Sequence, residues 1–373
     1  MRKLPLILLC ILAAALIAAM PFLCTHSDIL PEVSTAYYDH KAKEDALTAT
    51  GPEAELMRML TGLTADTKLE PVKTPLKFSW FGMTLAIGTV AAITLLFLLG
   101  RKLPRLHAAL CWTAALAVPF GLIGARLVYC LVNINYYLNA ISAPEAMLNI
   151  WEGGLSLCGA LAGVVLAGVI GAKLTRTPVG ATLYACFPTL YSLTAIAAVA
   201  CMVAKVGYGP EMPDSFFTIE IGGVPRLFTA WLRIVVPSAI MLIVAPHVRK
   251  STLSAGHRFA LHAFLYGSVM ILLESLRRDG HMVWGFVHAE MVFDLCVMLP
   301  ALLYLARTKK RILLSLLATA VLAGAVVALE FALDRSNLGD GLLYAVYAAL
   351  LGGYIFLGCR FALKRAESFS KNN

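Results

Sequence analysis

Charged residues are scarce in this chain of 373 residues, of which 14% are charged and 60% are hydrophobic. An ordinary soluble domain is about one quarter charged and about half apolar. The sequence also has no P-loop, no Gly-x-Gly-x-x-Gly segment, no low-complexity tract and no internal repeat, so the common nucleotide-binding signatures are missing. This composition argues against a pair of soluble domains and favours one membrane-embedded body.

Cysteine pairs at metal-binding or redox spacing are also lacking. The chain has nine cysteines, and none belongs to a Cys-x-x-Cys motif, so neither a zinc knuckle nor a redox site is indicated. We predict no metal and no cofactor. The net charge of +9 does not require nucleic acid as a partner, because the positions of the basic residues fit membrane orientation.

Ten apolar runs in the sequence are long enough to cross a bilayer as helices, which takes about 20 residues each. We therefore predict an all-α, polytopic membrane bundle of about ten transmembrane helices. The runs lie near 4–24, 77–100, 106–133, 153–172, 180–206, 227–246, 259–276, 287–306, 312–334 and 341–362.

Basic residues alternate along the loops between these runs. Every second loop is rich in Lys and Arg, whereas the stretch 25–76 carries nine acidic and five basic residues. Because cytoplasmic loops are enriched in Lys and Arg, we predict that both termini are cytoplasmic. The segment 25–75 is then an extracytoplasmic loop, with an amphipathic helix over 52–63. We interpret residues 1–24 as an uncleaved anchor, because the apolar run is long for a secretory signal and no small-residue cleavage site follows.

Arg126 stands inside an otherwise apolar run, where a charge costs at least ~2.5–3.5 kcal/mol. One interpretation is a structural ion pair with Glu152 or Glu274. The other is an anion site for a phospholipid headgroup, because the guanidinium fork matches the geometry of a phosphate. Its position predicts that it lies in the outer half of the third span.

The glycines that open the fourth span also allow two interpretations. Gly153 and Gly154 are followed by Gly159 and Gly163, and small residues at such spacing allow close helix packing in membrane bundles. The alternative is that they leave room for a lipid beside Cys158.

A group of charges ends the seventh span. Glu274 and Arg277 are three residues apart, so they share a helix face and can pair, although a solvated interfacial cluster is the alternative. Glu290 and Asp294 share a face of the eighth span and can pair with basic residues across the bundle. We interpret Lys205 as a side chain that extends to the membrane–water interface. Most of these groups gather on the outer half, which favours one site facing the outer leaflet.

Five segments, in order, resemble motifs of the prolipoprotein diacylglyceryl transferase family. They are Ser-Trp-Phe-Gly-Met at 79–83, Gly-Ala-Arg-Leu-Val-Tyr at 124–129, the segment 151–159, Tyr266-Gly267 followed by Leu-Glu-Ser-Leu-Arg at 273–277, and Gly-Phe-Val at 285–287. The resemblance covers 76–306, which holds seven spans, the number that the family has. The segment 307–373, with two further spans and a basic tail, lies outside it.

The resemblance implies an enzyme of the bacterial cell membrane that moves a diacylglyceryl group from phosphatidylglycerol to the lipobox cysteine thiol of prolipoproteins. Its partners would be an anionic phospholipid and prolipoprotein signal peptides. The catalytic positions would be Arg277 and Cys158. The substrate-binding positions would be Arg126, Tyr129, Gly153, Gly154, Ser156 and Glu274.

The chain departs from the family pattern at several of these positions. Cys158 replaces the family's histidine, Ala198 replaces an arginine, Phe81 replaces a tyrosine, and the segment 226–231 retains little of a His-Pro-Ser/Thr-Gln-Leu-Tyr-Glu motif. An apolar setting disfavours a thiolate, so Cys158 is a poor substitute for a base. Three hypotheses follow: a divergent transferase, a non-catalytic paralogue that binds phospholipid or a lipoprotein signal, and a transporter.

Overall fold

A computed structural model describes residues 3–24, 78–140, 144–306, 308–335 and 339–370, together with five isolated positions between 43 and 59. The predicted loop 25–75 and its amphipathic helix therefore lie almost wholly outside the described residues.

Ten long helices occur among the described residues, and each falls on one of the predicted apolar runs. Short π and 3-10 turns over 136–140, 144–148 and 150–152 lie between the third helix and the fourth. The helices are α1 (Lys3–Leu23), α2 (Trp80–Lys102), α3 (His107–Val132), α4 (Leu157–Thr175), α5 (Val179–Ala204), α6 (Ala230–Lys250), α7 (Ala255–Ser275), α8 (Ala289–Leu305), α9 (Lys309–Arg335) and α10 (Asp340–Ser370).

The helices α7 and α8 differ from the other eight in composition or length. Eight of the ten helices in the described ranges are long and apolar enough to cross a membrane. α7 carries Arg258, His262 and Glu274, and α8 is 17 residues long. Glu274, Glu290 and Asp294 on these two helices are buried against protein, the setting in which charged groups are found inside membrane bundles. The prediction of a polytopic helical membrane protein is confirmed.

Small residues bring α3 and α4 into backbone contact. A Cβ on Gly159 would collide with the carbonyl oxygen of Gly124, and a Cβ on Gly163 would collide with that of Phe120. Approach this close requires glycine and is the usual function of small residues between membrane helices. For Gly159 and Gly163 the structure therefore confirms the packing interpretation.

Two small antiparallel sheets were not predicted from the sequence. The strands β1 (Tyr208–Glu211), β2 (Thr218–Ile221) and β3 (Val224–Phe228) link α5 to α6 in the order β1-β3-β2. β2 and β3 are joined by Gly222 and Gly223, both with positive φ, and a Gly-Gly pair between two short strands is typical of a hairpin. A hairpin of β4 (Val283–Trp284) and β5 (Val287–His288) precedes α8.

The sheets and the ends of the helices meet at one end of the bundle. Here α1, α3, α5 and α7 end, and α2, α4, α6 and α8 begin. We call it the cluster end, because a group of buried charges lies there. Backbone hydrogen bonds tie its elements together: Ser79 N donates to Pro21 O (2.7 Å), and Arg278 N donates to Tyr208 O (2.8 Å).

The two C-terminal helices share a core with α7 and α8. Tyr347 on α10 and Leu322 on α9 belong to the same apolar cluster as Phe264 on α7 and Met298 on α8. A Cβ on Gly358 of α10 would collide with the ring of Phe264. These helices therefore pack tightly on the elements that carry the buried charges.

We expect Gly159→Ala to lower the stability of the bundle, because the new methyl group meets the backbone of Gly124, and overpacking of this kind costs about 1–3 kcal/mol. The measurement is the Tm of the purified protein in detergent micelles. Gly324→Ala on α9 is the matched control, because open space surrounds Gly324 and alanine favours a helix by about 0.5–1 kcal/mol. Equal effects of the two changes would contradict the packing argument.

Candidate active site

Five charged side chains form a buried ion cluster at the cluster end. They are Arg233 on α6, Glu274 on α7, Arg277 and Asp279 just after α7, and Glu290 on α8. Each is at most 5% exposed. A charge buried to this extent is tolerated only when it is paired and hydrogen-bonded.

Arg277 is the centre of the ion cluster. Its Nη2 donates to Asp279 Oδ2 at 2.7 Å, and its Nη1 donates to Glu274 Oε2 at 3.1 Å and to Glu290 Oε2 at 3.2 Å. Arg233 pairs with Glu274 and lies 3.8 Å from Glu290. The predicted pairing of Glu274 with Arg277 is confirmed, and so is a basic partner for Glu290 across the bundle.

The turn after α7 is fixed by contacts from two sides. Gly207 N, after α5, donates to Asp279 Oδ2 at 3.0 Å. Tyr344 on α10 donates its hydroxyl to Ser275 O at 3.0 Å and accepts from Arg278 Nη2 at 3.1 Å. The C-terminal span α10 thus helps to hold the residues on either side of Arg277.

The charge of Asp279 depends on its neighbour. Burial alone would raise the pKa of this carboxyl, but the guanidinium of Arg277 outweighs burial and brings the pKa below its ordinary value. Asp279 is therefore ionised at neutral pH and keeps Arg277 in place.

A cavity of about 190 Å³ leads to the ion cluster. Its walls are mostly apolar side chains of α1 to α5, and at the cluster end it meets Arg233, Arg277, His281 and Glu290. Glu274 and Asp279 do not line it. A ligand in the cavity would therefore face two guanidinium groups and one carboxylate beside a long apolar wall, which suits an amphipathic molecule with an anionic head.

Each of the two arginines also has a buried donor that is not used. The Nε atoms of Arg233 and Arg277 are buried and have no hydrogen-bond partner in the described part of the chain. A buried donor without a partner costs free energy, so each of these arginines lacks one acceptor among the described residues of the bundle.

Arg126 lies apart from the cavity. Its guanidinium donates to the carbonyl oxygens of Ala146 and Met147, both at 2.9 Å, to that of Gly154 at 3.3 Å, and to that of Gly153. Its alternative ion pair with Glu274 is not formed, because Glu274 pairs with the arginines of the ion cluster. Arg126 holds the segment 146–154 against α3.

That segment brings two predicted residues to the cavity. Gly154 and Ser156 line it, and the Ser156 hydroxyl caps α4 by accepting from Gly159 N at 3.2 Å. Gly153 and Gly154 have φ of 90° and 75°, and a side chain on Gly154 would collide with the ring of Tyr129. Tyr129 therefore packs on the segment rather than on the cavity.

Cys158 and Lys205 also lie outside the cavity wall. Cys158 is half-buried in the first turn of α4, within electrostatic range of Glu290, Asp294 and Arg233. Lys205 is exposed and ends α5 in a left-handed conformation with φ of 57°.

Two residues of the site were missed in the sequence. Arg233 is the one charged residue in the apolar run 227–246, the same signal that identified Arg126. His281 lies in a loop, lines the cavity and stacks on Tyr129 with ring centroids 5.8 Å apart. Its sequence context gives no comparable signal.

Fold and site together define a polytopic helical membrane protein with an apolar cavity that ends on buried arginines. A family model for prolipoprotein diacylglyceryl transferase matches residues 71–307, which include α2 to α8. The chain therefore belongs to the prolipoprotein diacylglyceryl transferase family. The helices α1, α9 and α10 lie outside the matched residues, whereas all five residues of the ion cluster lie inside them.

Individual relatives agree with this assignment. The chain is 31% identical over 218 residues to the phosphatidylglycerol–prolipoprotein diacylglyceryl transferase of Geobacter sulfurreducens, covering 54% of this chain and 78% of the relative. The enzyme of the same name from Symbiobacterium thermophilum is 26% identical over 255 residues, or 62% and 89% of the two chains. That of Listeria welshimeri is 23% identical over 234 residues, or 59% and 82%.

We expect Asp279→Asn to destabilise the protein at neutral pH by about 3 kcal/mol, because it removes one partner of a buried ion pair. The pKa of Asp279 is lowered in the fold, so its contribution is present above its ordinary value near 3.8 and is lost as the pH falls through the folded pKa. The difference in the free energy of unfolding between variant and wild type should therefore disappear below about pH 4. Denaturant unfolding in micelles measures it.

Asp334→Asn is the control for this pH series. Asp334 pairs with Arg335 at 3.1 Å, and its side chain is 50% exposed, so its change should cost less than about 1 kcal/mol. If the loss of stability in Asp279→Asn did not depend on pH, the ion pair of Asp279 would be ruled out as its cause.

Proposed function

We propose that this protein transfers a diacylglyceryl group from phosphatidylglycerol to the lipobox cysteine thiol of prolipoproteins. The observation that carries the proposal is the apolar cavity that ends on Arg233 and Arg277. The substrates are inferred from the names of the relatives. The apolar wall suits the acyl chains of a phospholipid, and the two arginines suit its phosphate.

In this reaction the acyl chains lie along the apolar wall, and the phosphate faces the two guanidinium groups. The bond between the glyceryl carbon and the phosphate oxygen breaks, a bond between that carbon and the cysteine sulfur forms, and glycerol phosphate leaves. Arg277 and Arg233 stabilise the negative charge that the leaving oxygen gains. Groups held in place before the reaction are most effective for this purpose.

The thiol of the acceptor must also lose its proton. We assign the acceptance of that proton to His281, because an imidazole is the side chain that most often accepts a proton in catalysis and this one lines the cavity. Glu290 also lines it, but its carboxylate pairs with Arg277 and Arg233. His281 would thus take the role of the family's histidine, whose position is occupied by Cys158.

Arg233 would likewise take the role of a missing arginine. Ala198, which replaces it, is 1% exposed and packs with Phe228 and Ala230. From α6, Arg233 brings a guanidinium to the same cavity. The departures at Cys158 and Ala198 keep the non-catalytic, lipid-binding paralogue as the second candidate, whereas the family match favours the transferase over a transporter.

We further propose that the protein lies in the bacterial cell membrane with both termini in the cytoplasm. The ends of the helices opposite the ion cluster carry basic residues, among them Arg101, Lys102, Lys173, Arg176 and Lys250. Because such residues mark the cytoplasmic side, the ion cluster would face the outer leaflet.

We expect Arg277→Ala and Arg233→Ala each to lower transfer by about 10²–10³-fold, because each removes a cation that faces the leaving phosphate. The assay follows label from phosphatidylglycerol to a lipobox peptide, with the protein in nanodiscs. Arg226→Ala is the matched control, because Arg226 is on β3, pairs with Glu211 at 2.8 Å and lies outside the cavity. Full turnover by Arg277→Ala would refute the proposed role of Arg277 in binding the leaving phosphate. If the wild type bound the lipid but transferred no label, the non-catalytic paralogue would be supported instead.

His281→Gln should lower kcat by about 10²–10⁴-fold, because the proton acceptor is removed. The dependence of kcat on pH should differ between the variant and the wild type, because the group that accepts the proton is absent from the variant. A variant with a lower rate and an unchanged pH profile would mean that His281 is structural and that another group takes the proton.

A cysteine introduced at Ser215, between β1 and β2, should react with a membrane-impermeant maleimide in intact cells, because this position lies at the cluster end. A cysteine at Thr308, at the opposite end, should react only after the membrane is permeabilised. The unaltered chain gives the background of the native thiols. The reverse pattern would invert the proposed orientation.

A further inference from the structure

An apolar turn projects from the small sheet at the cluster end. In this segment, residues 212–217 between β1 and β2, Phe216 is 76% exposed, Phe217 is 56% exposed and Met212 is 39% exposed. We call it the aromatic turn. A group of exposed apolar side chains, unlike a single one, marks a site of interaction.

Hydrogen bonds within the aromatic turn fix its shape. The hydroxyl of Thr218 donates to Asp214 Oδ1 at 3.0 Å, and Ser215 N donates to the same hydroxyl oxygen at 2.9 Å. Phe217 N donates to Ser215 Oγ at 3.3 Å. Short polar side chains that bond the nearby backbone in this way are typical of ordered turns. The two phenylalanine rings are therefore presented by an ordered turn whose polar groups are bonded locally.

The aromatic turn contacts α6. The rings of Phe216 and Trp231 stack with their centroids 5.5 Å apart and 28° between their planes. Trp231 is in the first turn of α6, which is long and apolar enough to cross a membrane. Tryptophan near the end of a membrane helix is typical of the membrane–water interface. The stacking therefore places Phe216 at the depth of that interface.

Trp231 belongs to a face of α6 that is open to the membrane. Val235 is 57% exposed and Leu242 is 76% exposed. They follow Trp231 by four and eleven residues, which places all three within about 40° on the surface of a helix. An exposed apolar face on a helix of bilayer length contacts lipid. The apolar surface of the aromatic turn is therefore continuous with the lipid-facing surface of α6.

We propose that the aromatic turn inserts the rings of Phe216 and Phe217 into the phospholipid leaflet at the cluster end. The partner is the lipid surface itself, at the boundary between headgroups and acyl chains, which apolar faces enter to a depth of about 5–10 Å. Insertion this shallow leaves Asp214 and Ser215 in water. The inserted side chains are apolar, so they do not select one headgroup over another.

The aromatic turn is linked to the ion cluster by short segments. Just before it, Tyr208 O accepts from Arg278 N at 2.8 Å, and Gly207 N donates to Asp279 Oδ2 at 3.0 Å. After it, β2 pairs with β3, which leads into α6 and Arg233. Insertion of the turn would therefore fix the depth of the ion cluster relative to the leaflet. The inference requires that α6 crosses the membrane, and it does not depend on the proposed transfer.

The test replaces Phe216, and in a second protein Phe217, by the photo-crosslinking amino acid benzoylphenylalanine, which retains the phenyl ring. The full chain is made by cell-free synthesis in nanodiscs of phosphatidylcholine or of phosphatidylglycerol, irradiated and analysed by peptide mass spectrometry. We expect an adduct with a lipid acyl chain at both positions, and equal yields in the two lipids.

Two further positions serve as controls. Benzoylphenylalanine at Leu242 should give a lipid adduct, because Leu242 is on the lipid-facing surface of α6. At Glu220 it should give none, because Glu220 is an exposed carboxylate on β2 of the same sheet.

Absence of a lipid adduct at 216 or 217, with an adduct at 242, would overturn the inference, and so would equal yields at 216 and 220. Adducts that join two copies of the chain, or that join the aromatic turn to residues 25–76, would overturn it because protein would then cover the apolar surface. An adduct confined to phosphatidylglycerol would indicate a headgroup site and would also overturn it. None of these outcomes decides whether the protein carries out the proposed transfer.

Discussion

The structure depends on the ion cluster around Arg277. Removing a charged side chain from water inside a membrane bundle is unfavourable unless partners replace the water, and Arg277 obtains them from the end of its own helix, from the next turn and from α8. Arg233 joins from α6, and Gly207 binds Asp279 from the end of α5. The ion cluster therefore joins α6, α7, α8 and the segment after α5 at one point, and the cavity ends on its arginines.

The cavity and the cluster act as the two halves of one amphipathic site. The apolar wall comes from α1 to α5, where small and branched residues leave room, and the polar end comes from the ion cluster. Because Glu274 and Asp279 lie behind the arginines, the ligand meets mainly their positive charge. Under the proposed function, this positive charge would favour an anionic phospholipid over a neutral one, and the apolar wall would accept acyl chains without specific contacts.

The elements outside the family match are not peripheral to this site. α10 binds the residues that flank Arg277 through the hydroxyl of Tyr344, and α1 contributes Cys24 to the cavity wall. Additional helices in a membrane protein gain little from the hydrophobic effect alone, since lipid is as apolar as they are. The polar contacts of α1 and α10 at the cluster end therefore place these two helices beside the site.

The sequence by itself determined the ten helices, because apolar runs of bilayer length have few alternatives to a helix, and it determined the pairing of Glu274 with Arg277, because three residues along a helix bring two side chains to one face. Five short motifs were enough to indicate the family. Tertiary structure decided the rest. The packing of distant helices decides whether Arg126 meets a lipid or a backbone carbonyl, whether Arg233 joins the ion cluster, and whether Cys24 reaches the cavity. Neither spacing nor composition records that packing, because it brings together residues that are far apart in the sequence.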